Sequence, residues 1–187
     1  MKLLFILIAL LFTFKLYAPW GVQSCPNLSE QLNTWQFEAY IERLGIEETG
    51  KEEHYPMKIN GKFYKTPYHV VNYLGMNGRW QQSKIALKDI GYNGSIKTFL
   101  HSPKIQKECI IKLIKKNKFY IEFYKLDKYV GKRIHGIELT MPGMLSICHI
   151  GGIDKLRRLL KEGYVAKSGT TTVLDYLKLF NQYKFEI

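Results

Sequence analysis

Apolar positions along this chain recur at three- and four-residue intervals in several separate stretches, so helices are expected to dominate. In the stretch Phe37 to Glu48, residues Phe37, Ile41, Leu44 and Glu48 fall on one face, with Tyr40 beside them. Asn27 or Asn33 offers a cap for that helix, and Gly50 stops it. Ser83, Ala86, Leu87 and Ile90 form a short second face ended by Gly91. Ser102-Pro103 opens a long helix whose apolar side reads Ile105, Cys109, Ile110, Leu113, Ile114, Phe119, Tyr120 and Phe123, with a break allowed at Asn117. Thr140-Met141-Pro142 opens another, with Met144, Leu145, Ile147 and Cys148 inward. It breaks at Gly151-Gly152, and a helix over Ile153 to Glu162 follows, ended by Gly163. Thr171 or Thr172 starts the last, with Val173, Leu174, Tyr176, Leu177 and Phe180 as its apolar side.

Between the helices the pattern changes. Lys51 to His69 carries Pro56, Gly61 and Pro67 among short alternating pieces, and Asn60-Gly61 is a tight-turn signal, so a small hairpin or long loop is expected. Its Tyr55, Lys58, Lys62, Tyr64 and Lys65 either face a sugar polymer or decorate a loop. Tyr129 to Leu139 reads as a glycine-punctuated connector or short hairpin. Asn72 to Gln82, with Gly75 and Gly78, reads as an irregular turn that brings backbone amides towards a ligand. The expected class is mainly α (α+β), helical with one small β excursion after the first helix.

Length and charge narrow the picture. The 187 residues suit one domain, and 46% hydrophobic residues argue against disorder. The formal net charge of +12 favours polyanionic partners: nucleic acid, anionic lipid or a negatively charged cell wall. The amino terminus helps to choose. Met1-Lys2 precedes an apolar run, Leu3 to Phe14, that is too short for a span of about 20 residues and resembles a secretory signal. Residues 1–24 are therefore expected to be a signal peptide or an amino-terminal anchor, with 25–187 as the exported domain, periplasmic or extracellular. Cleavage after Ser24 would leave Cys25 first, and Val22-Gln23-Ser24-Cys25 is also a poor lipoprotein box. Export demotes nucleic acid as a partner.

Three cysteines at wide spacing make neither a disulfide framework nor a zinc pattern. Cys109 and Cys148 read as small core residues, although a bridge between them is allowed. His54, His69, His101 and His135 show no metal-ligand spacing, and neither a metal nor a cofactor is expected.

Glu48 is the candidate catalytic group. A carboxylate that closes an apolar stripe sits at the edge of a core, where burial favours its protonated form and lets it donate a proton. Glu47, four residues after Arg43, reads as a solvated ion-pair partner. Glu52, Glu53 and Asp89 are the candidates for a second acid, each more simply solvated or structural.

Ordered motifs then carry a resemblance. Glu48-Thr49-Gly50 and Gly78-Arg79-Trp80-Gln81 are similar to the Glu-Ser-Gly and Gly-x-x-Gln motifs of the lysozyme-like lytic transglycosylases. Ile147-Cys148-His149 approximates that superfamily's third motif. Arg43-Leu44-Gly45, Asn72 to Gln81, Ala86 to Tyr92, Tyr129-Val130-Gly131, His149 to Gly152 and Asp175-Tyr176-Leu177 resemble more closely a lysozyme-like domain of phage and bacterial secreted proteins. The likeness spans roughly residues 40 to 180. Thr49 stands where the family has serine, and Trp80 where it has tyrosine.

The resemblance implies a lysozyme-like fold and cleavage of the β-1,4 bond in peptidoglycan glycan strands, by a monomer with Glu48 as general acid and base. It implies a substrate cleft at Gly78 and Gln81, with Gln81 bonding an acetamido group or the acid itself. Trp80 and Tyr73 either stack on sugar faces or pack. Arg79 meets a substrate carboxylate or water, and His149 contacts substrate or completes the core. A second reading stands beside this one: a non-catalytic basic module that binds peptidoglycan, another anionic wall polymer or a membrane surface.

Overall fold

A computed structural model describes residues 28–50, 56–59 and 61–187. The apolar run at Leu3 to Phe14, Cys25, the Asn27 cap, Glu52, Glu53, His54, Tyr55 and the Asn60 half of the turn lie outside the described residues. The chain divides into two compact units, Met1–Leu32 and Asn33–Ile187, and the core and site described below belong to the second. The described residues are mainly helical: six α-helices and three two-stranded antiparallel sheets.

Helix α1 spans Leu28–Thr49. Asn33 lies inside it rather than capping it, and its side-chain amide instead pairs with the backbone of Glu186 (2.9 and 2.6 Å). The inward stripe is as the spacing predicts, with Tyr40, Ile41 and Leu44 buried. Tyr40 meets the rings of Phe180, Tyr183 and Phe185 at 5.1, 5.7 and 5.0 Å, which fastens the carboxyl-terminal tail to α1. The helix ends where the Gly50 amide donates to Ile46 O.

Strands β1 (Met57–Ile59) and β2 (Lys62–Tyr64) form the hairpin expected after α1, paired Met57 to Tyr64. An irregular segment over 70–82 follows, then α2 (Lys84–Asp89), capped by Ser83, and α3 (Ile96–Leu100), capped by Ser95. The sequence pattern missed α3, whose five residues are too few to show a period. Its Phe99 packs with Leu87 and Cys109 in a small satellite core.

Helix α4 (Pro103–Phe123) runs without the break allowed at Asn117, which is buried inside it. A correction concerns its aromatic residues. Ile110, Ile114 and Ile121 face the core, whereas Phe119 and Phe123 are 57% and 65% exposed. At 100° per residue those two rings lie opposite the buried stripe. Spacing of three and four places them with each other, but not with the core side.

A hairpin of β3 (Arg133–Ile134) and β4 (Ile137–Glu138) leads into α5 (Met141–Glu162), capped by the Thr140 hydroxyl. The expected break is a kink at Gly152 (φ 71°, ψ 173°), and Gly163 ends the second half. Strands β5 (Lys167–Ser168) and β6 (Thr171–Thr172), not foreseen, lead into α6 (Val173–Phe180). Thr172 and Asp175 cap α6 reciprocally, each side chain accepting from the other's backbone amide. Helix α5 packs against both α4 and α6, and the main core lies among these helices and α1. Cys109 and Cys148 are free and buried in different clusters, so no bridge joins them. Burial pushes the Cys148 thiol far above its ordinary range.

Candidate active site

Four segments converge on Glu48. Helix α1 brings the carboxylate itself, one residue before its last. The segment over 70–82 brings Asn72, Leu74, Met76 and Gln81, the first half of α5 brings His149 and Ile150, and the continuous run of β6 and α6 brings Thr171 and Tyr176. Together they line a cleft of ≈ 270 Å³.

The Glu48 side chain is 18% exposed, at the boundary of core and cleft. Its Oε1 accepts a hydrogen bond from the Tyr176 hydroxyl at 3.0 Å and lies 3.3 Å from His149 Nε2. Both contacts fall on one oxygen. Oε2 has no hydrogen-bond partner among the described residues. Burial, with the Glu48 carboxylate beside it, pushes the Tyr176 phenol far above its ordinary range, so it remains a donor at any working pH. His149 Nδ1 is buried with no partner among the described residues, so the tautomer protonated at Nε2 satisfies the ring best.

Glu47 also lines the cleft, but Arg43 holds its carboxylate at 2.6 Å, the ion pair expected from their spacing. Asp89 pairs with Lys116 at 2.6 Å and is not among the cleft residues. Among the described residues, Glu48 is the cleft carboxylate without a basic Lys or Arg partner.

The segment that faces Glu48 is held from behind. Asn72 Oδ1 accepts from the amides of Leu74 (2.9 Å) and Met76 (3.0 Å), which closes the first turn. Trp80 is buried and its indole donates to Ile41 O of α1 at 2.8 Å. Arg79 is wholly buried and its guanidinium pairs with Glu42, also on α1. Gly45 makes room for it, because a Cβ there would run into the Arg79 side chain. Gln106, buried on α4, accepts from the Arg79 amide (2.9 Å) and donates to the carbonyls of Tyr68 (2.9 Å) and Phe99 (3.0 Å).

These contacts place the expected site residues in different surroundings. Arg79 and Trp80 do not reach the cleft; they fix the segment to α1. Gly78 is a buried backbone position against Gln106, and Tyr73 is 83% exposed outside the cleft lining. Gln81 and His149 do line it. Lys62, Tyr64 and Lys65 border a separate groove with His69 and His101, and Tyr64, at the end of β2, is buried.

Gln81 takes a left-handed backbone (φ 47°), a conformation that costs a residue with a Cβ roughly 1–2 kcal/mol. Its side-chain amide donates to Gly78 O at 2.7 Å, leaving the amide oxygen to accept from a ligand. Strain of this kind gathers where a side chain must point somewhere particular. The expected site lacked Tyr176 because a tyrosine on an apolar face reads as packing. Its place in Asp175-Tyr176-Leu177 was the available signal.

Comparison with known proteins finds no matching family model, no matching curated protein and no matching solved structure.

Proposed function

We propose that this chain is an exported enzyme of lysozyme-like architecture that cleaves the β-1,4 glycosidic bond of peptidoglycan, with Glu48 as general acid and then base. The observation that carries the reading is the Glu48 carboxyl on the wall of a cleft that Gln81 also lines: one oxygen accepts from Tyr176 with His149 at 3.3 Å, and the other has no partner among the described residues.

Glycoside cleavage needs a proton on the leaving oxygen and a nucleophile for the oxocarbenium-like carbon. Glu48 protonates the oxygen and the glycosidic C–O bond breaks. With Glu47 tied to Arg43, Glu48 is the cleft carboxyl without a basic Lys or Arg partner among the described residues, which favours attack by the substrate's own 6-hydroxyl. Glu48, now a carboxylate, takes that hydroxyl's proton as an anhydro ring closes, and the proton count balances. Gln81 accepts from an acetamido N–H to set the sugar's register.

The test is turnover of purified peptidoglycan followed by mass spectrometry of the soluble products. Glu48→Gln, which keeps size and removes the titrating proton, should lower turnover by about 10²–10⁴-fold. Glu47→Gln, the neighbouring control, should retain most activity. Anhydro ends identify the transglycosylase step and reducing ends a hydrolase. Binding without products, indifferent to Glu48→Gln, would leave the basic binding module as the function, which the +12 charge favours.

A further inference from the structure

The outer face of α4 is unusual for a helix packed in a core. Its inward side buries Ile110, Ile114 and Ile121, yet the opposite side also carries large apolar rings. Phe119 and Phe123 stack with centroids 5.9 Å apart and planes 24° from parallel. Tyr124, 41% exposed, stands edge-on to Phe123 at 5.2 Å. Contiguous exposed rings of this kind mark a surface meant to be covered.

Cations surround the rings. From Lys112 to Lys132 the chain has seven lysines against two acids, Glu122 and Asp127. Lys116 is taken by Asp89 and Lys118 by Glu122. Lys112, Lys115, Lys125 and Lys128 are exposed, and none has an acidic partner among the described residues. The Arg157 guanidinium sits 4.9 Å from the centre of the Tyr124 ring.

We propose that this face docks on a lipid bilayer bearing anionic phospholipid, with Phe119 and Phe123 entering the interface and the flanking lysines meeting the headgroups. Outward phenyl rings ringed by long basic side chains are the composition of a helix that lies in the plane of a membrane surface. A charged polymer would need the lysines but offers no apolar medium for the rings. A second copy of the chain would bring an identical lysine collar against this one, in a protein already carrying +12. The proposal does not depend on the chemistry at Glu48.

Hydroxyl-radical footprinting of the full chain tests it ring by ring, so any contribution of Leu3 to Phe14 to attachment does not mask the result. With vesicles of equimolar phosphatidylglycerol and phosphatidylcholine, oxidation of Phe119 and Phe123 should fall several-fold. Tyr73, 83% exposed elsewhere, should keep its rate, and pure phosphatidylcholine should protect neither ring. Lys112→Glu with Lys115→Glu, both exposed positions, should remove the protection. The proposal is overturned if the two rings stay reactive on the anionic vesicles. It is equally overturned if soluble polyphosphate protects them as well, or if protection without lipid rises with protein concentration.

Discussion

The hydroxyl of Tyr176 donates to Glu48 Oε1 at 3.0 Å across 128 positions of sequence, and that bond ties the last helix to the end of the first. A donor on one carboxylate oxygen fixes which way the other faces. The orientation of the proposed proton donor is therefore set by α6, although the residue itself belongs to α1.

Tyr176→Phe removes the bond and keeps the ring. A hydrogen bond to a charged group contributes about 1.5–3 kcal/mol, so kcat should fall roughly 10- to 100-fold with KM little changed. Circular dichroism and thermal melting should show a fold close to that of the parent. An unchanged kcat would mean that α6 does not orient the acid.

Gln81 separates strain from function. Gln81→Gly frees the backbone at φ 47°, whereas Gln81→Ala keeps the strain and loses the side chain. Glycine should be the more stable of the two variants by about 1 kcal/mol in denaturant melts. Both should lose activity. If alanine proves as stable as glycine, the left-handed backbone is not under strain.

Tyr40 is wholly buried, and its hydroxyl has no hydrogen-bond partner among the described residues. An unsatisfied buried hydroxyl costs about 1–3 kcal/mol, so Tyr40→Phe should raise the melting temperature at pH 7. The phenol is held far up, first by burial and then by nearby Cys148, Tyr176 and Tyr183. A raised folded-state value means that the unfolded chain releases this proton first, near pH 10. Its contribution is complete below that pH and is lost as pH climbs towards the folded-state value. The stability gap between Tyr40→Phe and the parent should therefore widen above about pH 10. Melts across an alkaline series decide it.

Gly45→Ala places a methyl group against the buried Arg79 side chain. Overpacking of this kind typically costs about 1–3 kcal/mol. Arg79 can give way only by leaving Glu42, which loosens the segment bearing Gln81. Lower thermal stability should be accompanied by a raised KM. A stability loss with unchanged kinetics would show that the Arg79 clamp supports the fold alone.

The helical framework was legible because its punctuation is local. Ser102, Thr140 and Thr172 each accept from the amide three residues on, and those residue types at those positions announce a helix start before any tertiary contact exists. The inward stripe of α1 followed for the same reason. What escaped was decided by distant partners. Arg79 and Gln106 are polar residues that become interior by satisfying one another and a neighbouring helix, which no periodicity registers. Phe119 and Phe123 share a spacing with core residues but sit half a turn away from them. Asn33 has the makings of a cap, yet its partner is Glu186 at the other end of the chain. At the candidate site, Glu48, Gln81, His149 and Tyr176 all stand in the quoted motifs, but the contact between Tyr176 and the carboxylate needs the fold.

Gly152 bends α5 between His149 and the remainder of that helix, and a Cβ built there meets no atom within 4 Å. Volume is free at that point, but the torsion angles are closed to L-residues bearing a side chain. At this one position, handedness rather than size is the gatekeeper: any chiral replacement must either carry strain or straighten the rod and swing the imidazole away from its carboxylate.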